Sequence, residues 1–248
     1  MKYALVVTNL SVAFQQTIAL HDIEFSIPTG KLVAIIGPNG SGKTTLIRSI
    51  MGLITPTKGT IFIANQLKEG SSKKIAYISQ RSCVDWNFPA TSLDVVIMGS
   101  YGQLRFCQSP GKKERELALQ ALAQVGMMEY ANTAIKELSG GQQQRLFIAR
   151  ALVQDAEIYL LDEPFVGVDA TTETIVFNLF KQLTQRNKTI IVVHHDLLTV
   201  KRHFDTVMFI NKTIIACGPT ADVMTSYNIQ KTFPHYIDTT SLVSSDFS

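Results

Sequence analysis

Apolar and polar positions change rhythm several times along this chain, and the changes mark out its elements. Val6 to Phe14 and Ile23 to Ile27 read as strands. Pro28-Thr29-Gly30 predicts a turn into Lys31-Leu32-Val33-Ala34-Ile35-Ile36, a continuous apolar run of the kind carried by a strand buried on both faces. A glycine-rich loop follows at once. Thr44 to Met51 then predicts a helix, and Gly59 to Ile63 a further strand beyond the Pro56 turn. From about Phe88 to Val153 there is no convincing strand, and Leu117, Leu119, Leu122 and Val125 recur within Lys112 to Gly126 as on an amphipathic helix. The αβ rhythm resumes with a strand from Ile158 to Leu161, a helix near Thr171 to Gln185, and strands at Thr189 to Val193 and Thr206 to Ile210. The expectation is one α/β body, with residues 1–87 and 154–225 as its core and 88–153 as an inserted helical lobe. The weakly periodic tail, 226–248, is expected to be partly disordered, and no internal repeat occurs.

Composition leaves this picture intact. Of 248 residues, 46% are hydrophobic and 17% charged, with 8 Pro and 15 Gly, values that describe an ordinary globular protein. The net charge of +3 is scattered, so no nucleic-acid partner is indicated. Cys83, Cys107 and Cys217 are odd in number and lie far from His at metal-ligand spacing, which argues for a reducing compartment over a disulfide framework or zinc site. The apolar patch Ala4 to Val7 is too brief for a signal-peptide core. Runs such as Leu32 to Ile36 and Ile190 to Val193 fall far short of the roughly 20 residues of a membrane helix. Any service to a membrane is therefore expected to pass through a partner.

Two segments carry explicit chemistry. Gly37-Pro38-Asn39-Gly40-Ser41-Gly42-Lys43-Thr44 fits the phosphate-binding pattern G-x-x-x-x-G-K-[ST], with a strand before it and a helix after it. Glycines let successive backbone N–H groups turn toward phosphate oxygens, and the positive end of the following helix adds to that field. Lys43 is expected to reach the β- and γ-phosphates and Thr44 to hold Mg2+, with Thr45 next in the same cradle. Downstream, Asp162-Glu163 end the strand from Ile158, at the carboxyl edge where parallel sheets bind ligands. Asp162 is expected to organise Mg2+ and its waters, and Glu163 to polarise an attacking water as general base.

Between them lies Leu138-Ser139-Gly140-Gly141-Gln142, followed by a helical stretch. Ser139 suits an N-cap and the glycines expose amides at a positive helix end, so one chain carries a second phosphate-binding device. Taken alone, Ser-Gly-Gly is more often a plain loop leading into a capped helix.

The P-loop, Tyr77-Ile78-Ser79-Gln80, Leu138 to Gln142, Leu160-Leu161-Asp162-Glu163-Pro164 and His195-Asp196 stand in the order of the ABC transporter ATPases, and from about Ala4 to Thr225 the chain resembles that family. The resemblance implies a P-loop NTPase core with a parallel central sheet, an N-terminal antiparallel β subdomain and an inserted helical subdomain. It also implies a homodimer in which two copies sandwich two ATP molecules. Ser139, Gly141 and Gln142 would then act in trans on the nucleotide held by the partner's P-loop. By the same carry-over Gln80 would touch Mg2+ or the attacking water, and His195 would contact the γ-phosphate. His195 is preferred to His194 because the family's histidine directly precedes Asp. Phe165-Val166-Gly167-Val168-Asp169 looks like the loop along the dimer interface, with Asp169 its key residue, and Phe14 sits where an aromatic ring stacks on adenine.

Cargo has to be read elsewhere. Arg81-Ser82-Cys83-Val84-Asp85-Trp86-Asn87-Phe88-Pro89 and Leu93 to Gly102 resemble importers of manganese, zinc and iron, in a region that receives a helix of the integral membrane permease in that family. Trp86 and Phe88 are candidate contacts or, equally, core aromatics of the lobe. The resemblance implies a peripheral protein at the cytoplasmic face of the cell membrane. An extracytoplasmic metal-binding protein would be an indirect partner. An importer of siderophore or cobalamin, and a soluble ABC ATPase in repair or cofactor assembly, stand as alternatives; a missing basic stripe and coiled-coil insertion speak against the repair version.

Overall fold

Strand β1 (Tyr3–Phe14) pairs antiparallel with β2 (Thr17–Pro28), and the alternation of buried residues explains their shared face. Leu5 and Val7 set one phase; a register shift between Val7 and Leu10, where Asn9 takes φ 49°, turns Leu10 and Val12 back to the core. In the computed structural model residues 2–64, 66–67, 74–79, 85–105 and 108–234 are described, and they divide between two compact units, Met1–Ser72 with Ile191–Ser248, and Lys73–Ile190.

In the first unit β3 (Leu32–Ile36) is buried along its whole length and runs into a loop and then helix α1 (Lys43–Met51), which begins one residue earlier than the hydrophobic pattern predicts. Gly52 closes α1 in the left-handed conformation, its N–H donating to the carbonyls of Arg48 and Ser49. Strands β4 (Lys58–Ile63) and β5 (Gln66–Leu67) complete a four-stranded antiparallel sheet of order β2-β1-β4-β5. This is the expected N-terminal antiparallel subdomain.

The second unit opens with β6 (Ile75–Ile78). Among the described residues of 88–153 the only pairing of strand type is the isolated bridge Thr91–Ala134; the regular elements are helices, among them α2 (Ser92–Met98), α3 (Lys112–Gln124) and α4 (Gly140–Leu152). Each helix has a sequence-encoded start: Thr91 and Asp94 close a capping box on α2, and Glu114 accepts from the Gly111 amide at 2.8 Å ahead of α3. Strand β7 (Ile158–Asp162) is fully buried and lies parallel to β6. Helix α5 (Ala170–Gln185) packs an aromatic cluster, in which Phe165 stacks on Phe177 at 4.7 Å and both meet Phe180 edge to face.

Strand β8 (Thr189–Val193) returns the chain to the first unit, where α6 (Leu197–His203), β9 (Thr206–Asn211) and β10 (Thr213–Pro219) follow. Strand β9 is parallel to β3, and β10 is an antiparallel edge on β9, so the expected parallel sheet is mixed at its margin. The short helix α7 (Thr220–Val223) precedes α8 (Ser226–Thr232), which the weak periodicity of the tail does not predict. Local hydrogen bonding makes α8: Thr225 caps it by accepting from Asn228, the Asn228 amide group donates to the Val223 carbonyl, and Ile229 is buried. The remainder of the tail, from 235, lies outside the described residues.

Candidate active site

In the first unit the loop between β3 and α1 wraps around the side chain of Lys43. Its ammonium donates to the Gly37 and Pro38 carbonyls at 2.8 and 2.9 Å, and the residue is only 7% exposed. The Ser41 N–H donates back to the Pro38 carbonyl at 3.1 Å, closing the turn through Asn39 and Gly40. The first intrahelical bond of α1 runs from the Leu46 N–H to the Gly42 carbonyl at 2.8 Å, so the amides of Lys43, Thr44 and Thr45 belong to the positive end of the helix. Gly37 is required by close approach: a Cβ there would stand 2.1 Å from the Ile210 carbonyl oxygen of β9. The Ser41 hydroxyl is buried without a hydrogen-bond partner among the described residues. A buried ammonium, a ring of amides at a helix start and an orphaned hydroxyl suit an anion with several oxygens.

The hairpin of β1 and β2 borders this loop, since Gly42 lies against Ala19 and Leu20 of β2. Phe14 ends β1 at the hairpin tip, opposite Thr17, and keeps 50% of its surface exposed. Such exposure is unusual for a core aromatic and leaves a π-face available.

The end of β8 meets β3 through the His194 N–H, which donates to the Ile35 carbonyl at 3.1 Å, close to where β3 enters the loop. The two histidines then part. His194 is buried, its ring edge-on to Phe204 at 5.7 Å, and its Nδ1 accepts the Asp196 N–H at 3.0 Å. Burial pushes its pKa down to about 4, so the ring is neutral near pH 7. His195 is exposed. Asp196 caps α6 by accepting from Leu198, Thr199 and the Thr199 hydroxyl. Desolvation raises the Asp196 pKa, and these hydrogen bonds outweigh it, leaving the carboxyl below its usual value.

In the second unit Asp162 is the last residue of β7 and only 3% exposed. Glu163 follows with φ 52°, a left-handed backbone for a residue that has a Cβ. Pro164 contributes by disfavouring the right-handed helical region for the residue before it. The chain thereby bends sharply at the carboxylate pair. The Asp162 carboxylate in this unit and, separately, the Thr44 hydroxyl in the first are each a hard oxygen donor of the type that Mg2+ takes.

Ser139 is the N-cap of α4: its hydroxyl accepts from the Gln142 N–H at 3.3 Å while the Gln142 side chain accepts from the Ser139 N–H at 2.7 Å. Asp169 is the N-cap of α5, with both oxygens accepting from Thr172 at 2.9 Å, one from the amide and one from the hydroxyl. These two bonds hold its carboxyl below the usual carboxylate range. Gly141 lies directly against this pair. Gln80 and Arg81 to Val84 lie outside the described residues. Trp86 is half-buried, edge-on to Phe147 at 5.2 Å, whereas Phe88 is exposed.

Phe14, Gly37 to Thr45 and His195 therefore share the first unit, and Asp162, Glu163, Ser139, Gly141, Gln142 and Asp169 the second. One residue escapes the sequence reading: Thr172 stands three positions after Asp169, the spacing of a helix cap and its donor. His194, set aside there in favour of His195, continues the buried run of β8.

The chain is similar to known proteins along most of its length. Residues 20–166 match the family model described as ABC transporter. The chain is 48% identical over 225 residues to the manganese transport system ATP-binding protein MntB of Bacillus subtilis, covering 91% of this chain and 90% of the relative. It is 47% identical to the zinc transport system ATP-binding protein TroB of Treponema pallidum, over 96% of this chain and 90% of the relative. Among solved structures, an inward-facing ABC transporter assigned to the metal-chelate type superposes with a TM-score of 0.84 at 29% identity, covering 94% of this chain and 90% of that one. The dimeric cassette MJ0796 superposes with a TM-score of 0.75 at 29% identity, covering 87% and 98%. It also has a dimeric post-hydrolysis structure bound to ADP and phosphate.

Proposed function

This chain belongs to the ABC transporter family, and from that premise we propose that it is the ATP-hydrolysing subunit of an importer that carries manganese or zinc through a separate membrane permease. Members of the family bind and hydrolyse nucleotide, and the cradle around Lys43 is the observation that carries the reading for this chain. The narrowing to two metals follows the names of relatives at 47% and 48% identity; those names do not extend to iron, the third metal expected from the sequence. The metal-chelate relative, at 29%, favours a chelated cargo as second reading.

Within this reading Gly37 to Thr45 hold the triphosphate, with Lys43 neutralising charge on the β- and γ-oxygens and Phe14 stacking on adenine. Thr44 and Asp162 are assigned to Mg2+, with Gln80 as a third group; the ion supplies charge neutralisation on the phosphates when bound. Glu163 takes a proton from the attacking water, from a backbone held in the left-handed region directly after Asp162. His195, exposed beside the phosphate loop, contacts the γ-phosphate.

The helix end at Ser139, Gly141 and Gln142 serves the nucleotide of a second copy, with Asp169 beside it at the shared interface. The dimeric MJ0796 relative supports this arrangement. The exposed Phe88 in the helical lobe 88–153 is assigned to the permease. No described helix is long and apolar enough to cross a membrane, so we assign this subunit to the cytoplasmic face of the cell membrane, held there by the permease. An extracytoplasmic metal-binding protein completes the system and reaches this subunit only through the permease.

Replacing Glu163 by Gln tests the catalytic half. ATP affinity should persist while turnover falls by at least about 100-fold, as loss of a general base does, and a stable ATP-bound dimer should appear by size-exclusion chromatography. Hydrolysis at the wild-type rate would remove Glu163 from the mechanism.

A further inference from the structure

We propose that Thr172 is a positioning residue for ATP hydrolysis: it ties the Ser139–Gln142 turn to Asp169, so that both are presented to the second copy as one rigid piece. The inference rests on the reading of the chain as an ATPase that works as a dimer. Thr172 lies in the first turn of α5, is 3% exposed and spends both of its donors on one carboxylate. Its amide donates to one Asp169 oxygen and its hydroxyl to the other, each at 2.9 Å. A single bond would cap the helix; the second fixes the rotation of the carboxylate.

What lies on the other side of this pair gives it a wider role. A Cβ added to Gly141 would stand 2.7 Å from the Thr172 hydroxyl and 2.8 Å from the outer Asp169 oxygen. The first turn of α4 therefore rests on the oxygen atoms of the Thr172–Asp169 pair without room for a methyl group between them. Gly141 is in turn enclosed by the Ser139–Gln142 capping box. Three short-range devices, one cap on each helix and one backbone contact between them, thus interlock at Thr172. Displacing Asp169 moves the wall against which Gly141 is seated, and with it the helix end assigned to the partner's nucleotide. A hydroxyl is the group this position needs, because Val has the shape of Thr and lacks the second donor.

The experiment uses the full chain with Thr172 replaced by Val and by Ser. Thr172→Val should lower kcat about tenfold, the scale of one lost hydrogen bond to a charged group, with KM for ATP unchanged. In the same variant the amides of residues 139–143 should exchange hydrogen about fivefold faster without nucleotide, while those of β7 keep their protection. Thr172→Ser should restore both readouts. If the Val variant does not fold, Thr172→Ala removes the same bond without added bulk and is judged by the same criteria. Wild-type kcat and exchange in the Val variant would overturn the proposal, as would a loss that Ser does not repair or one confined to KM. A wild-type chain without ATPase activity would instead overturn the functional reading, and exchange at 139–143 would still decide whether Thr172 couples the two turns.

Discussion

His194 and His195 are the same side chain one position apart, and the fold gives them opposite lives. His194 extends the buried end of β8 and takes a hydrogen bond from Asp196, whereas His195, the next residue, is exposed. The unfolded chain binds a proton near the ordinary histidine value of 6.5 and the folded ring only near 4. Stability from this site is therefore present above about pH 6.5 and lost as the pH falls toward 4, by roughly 2–4 kcal/mol across the window. In urea unfolding measured from pH 7 to 4.5, His194→Asn keeps an acceptor for Asp196 without titrating, and should flatten the profile by that amount; an unchanged slope would contradict the burial argument. Glu163 makes the complementary case. Its left-handed φ strains the residue that the proposed function makes the general base, so Glu163→Gly should raise the unfolding free energy by about 1 kcal/mol while abolishing turnover. The sequence distinguishes His195 only through the family's His-Asp order, because burial depends on which strand lies alongside.

At the scale of elements, the loop between β3 and α1 behaves as one piece because its glycines meet different surroundings. Gly37 abuts the Ile210 carbonyl at 2.1 Å from its Cβ position, while a Cβ at Gly40 would find nothing within 4 Å. Gly37→Ala should therefore cost several times the stability of Gly40→Ala, whose penalty is the roughly 1 kcal/mol of a left-handed Ala. Comparable melting temperatures for the two variants would contradict the close approach. Strand, loop and helix are legible here in the hydrophobic pattern, as is the Ser139 cap of α4, because each is encoded locally. Strand β10 is not: its residues are mostly half-buried, without clear alternation, and Lys212 turns the hairpin at φ 59° where Gly or Asn would have signalled it. Helix α8 is hidden for a similar reason, since its single buried apolar residue, Ile229, sets no period.

At the scale of the whole molecule, one chain carries two helix starts that the proposed function assigns to phosphate, at Lys43 and at Ser139, with a carboxylate pair and an exposed histidine. The economical account is a dimer in which each copy lends one end to the other's ATP, and closure on nucleotide moves a permease. The motifs assigned to the motor are legible along the sequence because the P-loop, the Asp162-Glu163 pair and the Ser139–Gln142 turn are each contiguous. Cargo is not, since in the proposed function these residues act on phosphate, and no group of His, Cys, Asp and Glu that could hold a metal occurs among the described residues. The central claim is tested most directly by reconstituting the subunit with its co-purified permease in vesicles and measuring ATP-driven uptake of labelled manganese and zinc. Uptake of one of these metals, lost with Glu163→Gln while the complex stays assembled, is the predicted result. ATPase activity with no membrane protein in stoichiometric association, or a complex that moves neither metal, would contradict the account.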